Sequence, residues 1–134
     1  MFSAAFRYAL IGLLEIASSE AGLNGTDIAR RHSISTTYMA NVLSELKRLG
    51  IVHSRKGRYG GYTLSCLPDE INLLALHQGL AGSHLAPEQE PTTPVERWLW
   101  QLEARWQAEL AATTLSDLQR FAADQPAALS SLAS

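Results

Sequence analysis

The stretch from Ser35 to Tyr62, STTYMANVLSELKRLGIVHSRKGRYGGY, restricts the fold more than any other part of the chain. Ser35 has the side chain of an N-cap, whose hydroxyl accepts from a free amide of the first turn. Met39, Val42, Leu43, Leu46 and Leu49 then recur at steps of three and four, which is one apolar face of a helix. Gly50 follows as the left-handed residue that ends it. The opposite face carries Thr36, Thr37, Ala40, Asn41, Ser44, Lys47 and Arg48. Two short strands are predicted next, Ile51–Ser54 and Tyr62–Ser65, with Arg55-Lys56-Gly57-Arg58-Tyr59-Gly60-Gly61 as the tip between them. Three cations within residues 55–58 repel one another and add nothing to a core, and the glycines allow close backbone approach to a partner.

Upstream, Asn24 caps a second helix through Arg31, and Asp27 sits at the positive end of its dipole. Helix Asn24–Arg31, the turn His32-Ser33-Ile34 and helix Ser35–Leu49 form a helix-turn-helix, and the hairpin behind it forms a wing. Short polar and amide side chains at a helix N-terminus can reach base edges in a major groove, and a basic loop can follow the phosphates. A plain amphipathic helix with a solvated polar face accounts for the helix alone. It does not account for the basic tip beside it.

Net charge is −2 over 134 residues, yet the charge is divided unevenly. Residues 1–65 hold eight Lys/Arg against four acids, a balance of +4, and residues 66–134 hold three against nine, a balance of −6. The basic half is the half with the helix-turn-helix, so its field directs that face toward a polyanion. One cysteine forms no internal disulfide, and no apolar run reaches membrane-spanning length, so a cytoplasmic, non-membrane protein is expected.

The first helix is predicted over about Phe2–Ala17, with Phe6, Leu10, Leu13, Leu14 and Ala17 inward. Asn72 caps a helix to about Ala81, with Leu73, Leu76 and Leu80 inward. Residues 83–93 read as a loop rich in proline. Thr93-Pro94 opens a long helix on which Val95, Trp98, Leu99, Leu102, Trp106 and Leu110 share a stripe. Three tryptophans on one helix exceed what a small head covers, so Trp98, Leu99, Leu102, Trp106 and Leu110 are expected to pack across a two-fold axis. The competing reading folds this helix back on its own domain. A last helix, Thr114 to about Ala123, turns Leu115, Leu118, Phe121 and Ala122 to one side, and 125–134 is a flexible tail.

These motifs resemble the Rrf2 family of winged-helix regulators, which includes iron–sulfur, nitric-oxide and cysteine-metabolism repressors. The resemblance is carried by Phe6-Arg7-Tyr8-Ala9-Leu10, Ile28-Ala29-Arg30-Arg31, Ile34 to Met39, Leu49-Gly50-Ile51-Val52, Lys56 to Leu64 and Thr113 to Leu118, in order over most of residues 1–120. It implies a mainly α fold with a small β-hairpin: a winged head (1–82), a loop (83–93), a helical dimerisation region (94–124) and a tail. By matching positions, Ser35, Thr37, Tyr38 and Asn41 are the major-groove contacts, Lys56 replaces the usual wing arginine, and Arg58 is a tip cation. With Arg7, Thr36, Lys47, Arg55 and Tyr59 these make up the candidate interface with double-stranded DNA.

Two departures bear on control and specificity. Many relatives hold an iron–sulfur cluster with three cysteines after the fourth helix, whereas residues 82–98 contain none, so no cofactor and no metal site is expected. The histidines lack metal-ligand spacing. Cys66 is the one candidate redox thiol; without a cation within three positions, it reads better as a small buried side chain. Ala40 stands where cluster-binding relatives often have a glutamate, so a different operator is expected. The chain is therefore expected to be a homodimeric regulator, a repressor, of a pseudo-palindromic operator, controlled by a small molecule or protein. The alternative is a winged-helix interaction module acting on a metabolic enzyme or polymerase, which leaves Arg55, Lys56 and Arg58 without a purpose. No phosphate loop, HExxH or nucleophile–base pair supports an enzyme.

Overall fold

In the computed structural model, residues 2–19, 22–57, 60–81 and 89–125 are described. Their elements run α1 (Ala4–Ala17), α2 (Gly25–Arg31), α3 (Thr36–Arg48), β1 (Val52–Arg55), β2 (Gly61–Leu64), a 3-10 turn (Pro68–Glu70), α4 (Leu73–Ala81), α5 (Pro94–Ala111) and α6 (Leu115–Ala123). The expected caps form because each depends only on its own turn. Asn24 accepts from Asp27 N, Ser35 from Tyr38 N and Thr93 from Glu96 N. Thr114 adds a cap not among those predicted, accepting from Asp117 N. Gly50 takes the left-handed conformation at φ 78°. The strands sit one residue away from the predicted spans, in the register Val52↔Leu64 to Arg55↔Gly61.

One core joins the helices to the hairpin. Phe6, Ala9, Leu13 and Ile16 of α1 meet Ile28 and Ala29 of α2, Met39, Val42, Leu43 and Leu46 of α3, then Val52, Ile71, Leu73, Leu76 and Leu115. Helix α1 lies at the centre, packed against α2, α3, α4, α6 and β2. Its buried stripe is rotated from the predicted one: Leu10, Leu14 and Ala17 flank the core half-buried, and Ala9, Gly12 and Ile16 enter it. Apolar side chains nearly encircle α1, so periodicity alone does not choose the stripe. Gly12 makes the choice physical, since a Cβ there would already touch Met39 Sδ at 3.6 Å.

A short bridge anchors the hairpin. Leu23 N donates to Tyr62 O at 3.2 Å and Tyr62 N donates to Leu23 O at 2.7 Å, so Leu23 acts as a third strand one residue long. Gly61 makes the approach possible: its φ is 154°, and a Cβ there would lie 2.8 Å from both C and O of Leu23.

At the other end, Asn72 caps α4 by accepting from Leu74 N and Ala75 N, and its amide donates to Ala111 O at 2.7 Å. Leu73 N to Thr113 O (3.0 Å) and Leu115 N to Ile71 O (2.9 Å) complete this joint between the start of α4 and the α5–α6 turn. Phe121 does not face inward as predicted but is 64% exposed. Six helical positions carry it about 240° around from Leu115, beyond the stripe that Leu115 and Leu118 bury. Helix α5 packs on α4 and has no fully buried residue.

Candidate nucleic-acid interface

The two faces of α3 have opposite surroundings. Met39, Val42, Leu43 and Leu46 are buried, while Ser35, Thr36, Thr37, Tyr38 and Asn41 are exposed on the other side. The helix is seated firmly: Ile34 N donates to Ala29 O at 2.9 Å across the turn, and Leu43 Cδ1 lies 2.9 Å from where a Cβ on Gly25 would be. Tyr38 packs its ring edge to face against Tyr8 of α1, with centroids 5.3 Å apart. Arg7, the next residue along α1, is exposed.

The hairpin presents Arg55 and Lys56 to solvent, with Gly57 in the left-handed region at φ 109° to make the turn. Arg58 and Tyr59, both candidate contacts, lie outside the described residues. Lys47, also a candidate contact, is exposed. Its ammonium donates to Ser54 Oγ at 3.0 Å, tying the end of α3 to β1 beside the basic tip. Arg48 is paired with Glu45 at 2.7 Å. His53 braces the strands, within 2.6 Å of Thr63 Oγ1 and 3.3 Å of Ser65 Oγ.

One support is not legible in the pattern of residues. Glu15 of α1 accepts from Arg31 Nη1 and pairs with His32 Nε2, both at 2.8 Å, which clamps the end of α2 and its turn onto α1. Burial works against ionisation of this carboxyl, but His32 and Arg31 together outweigh it and hold its pKa below the ordinary value. The pair needs the angle between α1 and α2, which no spacing within either helix encodes.

The predicted two-fold stripe on α5 divides into two parts. Val95, Trp98 and Leu99 are 68%, 57% and 50% exposed, and an open groove of about 330 Å³ lined by Leu99, Leu102, Glu103 and Trp106 continues the same face. Trp106 is half-buried, its ring 5.5 Å from Phe2 and 5.1 Å from His77, and Leu110 packs on the core of its own chain. The free part of the stripe is thus its N-terminal half.

The chain has a single cysteine, and among the described residues no three His, Cys, Asp or Glu side chains gather in metal-binding geometry. Cys66 is half-buried beside the 3-10 turn, where burial and then the charge of Glu70 push its thiol pKa up. A protonated thiol is a poor metal ligand and a slow nucleophile. His77 lies among Phe2, Phe6 and Trp106, and burial pulls its pKa down.

A helix-turn-helix with polar residues on the free face of its second helix, and a basic hairpin fixed beside it, defines a winged-helix DNA-binding protein. The profile of the Rrf2 family, described as iron-dependent transcriptional regulators, matches residues 2–121. The HTH-type transcriptional regulator CymR of Bacillus subtilis is 32% identical over 120 residues, covering 86% of each chain. The solved structure of B. subtilis CymR, described as the global cysteine regulator, superposes with a TM-score of 0.75 at 31% identity, over 90% of this chain and 97% of that one. The T. potens IscR structure shares the fold with a TM-score of 0.75 at 22% identity, over 94% and 92% of the two chains. The chain belongs to the Rrf2 family: it is a DNA-binding transcriptional regulator and not an enzyme. No helix among the described residues is long and apolar enough to cross a membrane.

Proposed function

We propose that the protein is a homodimeric repressor, working in the cytoplasm, that binds a pseudo-palindromic operator without a conventional iron–sulfur cluster. The observation that carries this reading is the joint placement of exposed Ser35, Thr36, Thr37, Tyr38 and Asn41 beside a hairpin with exposed Arg55 and Lys56. Residues at the start of α3 read base edges, with Asn41 able to pair two-fold with adenine, and the wing cations follow the phosphates. Residues 1–82 form the head and 94–124 the dimerisation region. Val95, Trp98, Leu99 and Leu102 supply the two-fold contact, because exposed indole and leucine on one helix face lose apolar surface to water only against a partner. The dimer sets two copies of α3 about 34 Å apart, one turn of DNA.

The donor set described above does not fit a three-cysteine cluster, so DNA binding is assigned to the protein without one. B. subtilis CymR is described as the global cysteine regulator, and control of cysteine-related genes is accordingly proposed for this chain. A fluorescence-anisotropy titration against the protein's own upstream DNA and a scrambled duplex, at two salt concentrations, tests the proposal. Tight, salt-sensitive and sequence-selective binding by metal-free protein is expected; equal, weak binding to both duplexes counts against it.

A further inference from the structure

Tyr38 is the largest side chain on the free face of α3, and it is not presented alone. Tyr8 meets it edge to face, with ring centroids 5.3 Å apart and planes at 85°. Tyr8 is half-buried on α1, the central helix, which is fixed in the core through Phe6, Ala9 and Leu13. Tyr38 is 38% exposed and lies within the first turn of α3. One ring is therefore held by the rigid core, and the other projects from the DNA-facing side.

We propose that Tyr8 is a positioning residue: its ring holds Tyr38 in the rotamer that directs the phenol toward DNA. Through this contact α1 sets the pose of a recognition side chain without itself touching a base. The inference rests on the proposed docking of α3 in the major groove. An aromatic side chain on a helix has two accessible χ1 wells, because the third drives it into the preceding turn. Without a neighbouring ring, an exposed tyrosine divides between those wells, and apparent affinity falls with the competent fraction. An edge-to-face pair shifts such a balance by about twofold to tenfold.

The test is a double-mutant cycle read as operator affinity at two salt concentrations. Tyr8→Leu is expected to weaken binding by up to about twofold, the loss when a single occupied well becomes an even division between two, with an unchanged salt slope because no phosphate contact is lost. Tyr8→Phe keeps the ring and is expected to bind like the unmodified protein. In a Tyr38→Ala background, Tyr8→Leu should have no further effect. An equal loss in that background, or a loss in Tyr8→Phe, overturns the proposal, since Tyr8 would then act through the general structure or through its own hydroxyl. Side-chain NMR couplings of Tyr38 in the free, unmodified protein provide a check that needs no variant: a single χ1 well is expected, and averaging between wells overturns it. If unmodified protein shows no preference for operator over scrambled DNA, it is the docking of α3 that fails, whatever the variants do.

Discussion

Replacing Gly61 by alanine should loosen the wing from the body. The added Cβ would sit 2.8 Å from C and O of Leu23 and 3.0 Å from its N, all backbone atoms that cannot rotate aside. Relief requires separating Leu23 from Tyr62, which removes their hydrogen bonds of 3.2 and 2.7 Å. Each such bond contributes about 1 kcal/mol net. Holding alanine at φ 154° costs about 1–3 kcal/mol more, because an L side chain is crowded there. The sum, about 3–5 kcal/mol, is a large part of the stability of a domain this size and should lower Tm by about 10 °C or more. Circular-dichroism melting measures this, and amide exchange at Tyr62 localises it. Arg55 and Lys56 would lose their fixed position, so the salt slope of operator binding should fall by up to about two phosphate contacts. A Tm within about 2 °C of the unmodified protein, with Tyr62 still protected, would refute the reasoning.

Three further outcomes are expected. Trp98→Ala should weaken the dimer by about 2 kcal/mol or more, the loss typical of a central aromatic anchor, and sedimentation velocity should show monomer at micromolar concentration; an unchanged profile would remove Trp98 from the interface. Lys56→Ala should lower affinity for operator and scrambled DNA alike and reduce the log–log salt slope by about one, since a phosphate contact carries charge and no sequence information. Stability should also fall with acid in two separate windows. His77 has a folded pKa below its ordinary value near 6.5, so the unfolded chain binds its proton first, and stability present above that value is lost as pH drops through it. Glu15 likewise has a lowered pKa, with an ordinary value of 4.5, and its contribution is lost only below that range. His77→Phe, which keeps an aromatic ring between Phe6 and Trp106, should flatten the upper window of a Tm-against-pH curve and leave the lower one intact.

Features that depend on a few consecutive residues are legible in the amino-acid sequence. Asn24, Ser35, Asn72 and Thr93 cap helices as their positions predict, because each hydroxyl or amide acts on its own turn. The inward face of α3 is equally legible, since its apolar residues form one narrow stripe against a polar remainder. Helix α1 offers no such contrast, and its stripe depends on which neighbours approach at Ala9 and Gly12. Contacts between distant residues leave no local signal. The Leu23–Tyr62 bridge, the Glu15–Arg31–His32 clamp and the packing of Phe2, His77 and Trp106 arise only when separate elements meet. Lys47 shows the same effect at the interface. Its charge suits DNA, and only the placement of β1 reveals Ser54 as its partner. On α5 the apolar period is plain, but periodicity does not tell a stripe spent on its own chain, as at Leu110, from one left free, as at Trp98.

Hydroxyl-radical footprinting of the protein's own upstream DNA by metal-free protein tests the central claim most directly. Two protected patches on one face of the duplex, centred about one helical turn apart, are expected from a two-fold pair of α3 helices. A single patch, or no protection until an iron–sulfur source is supplied, would contradict a dimeric regulator that binds DNA without a cluster.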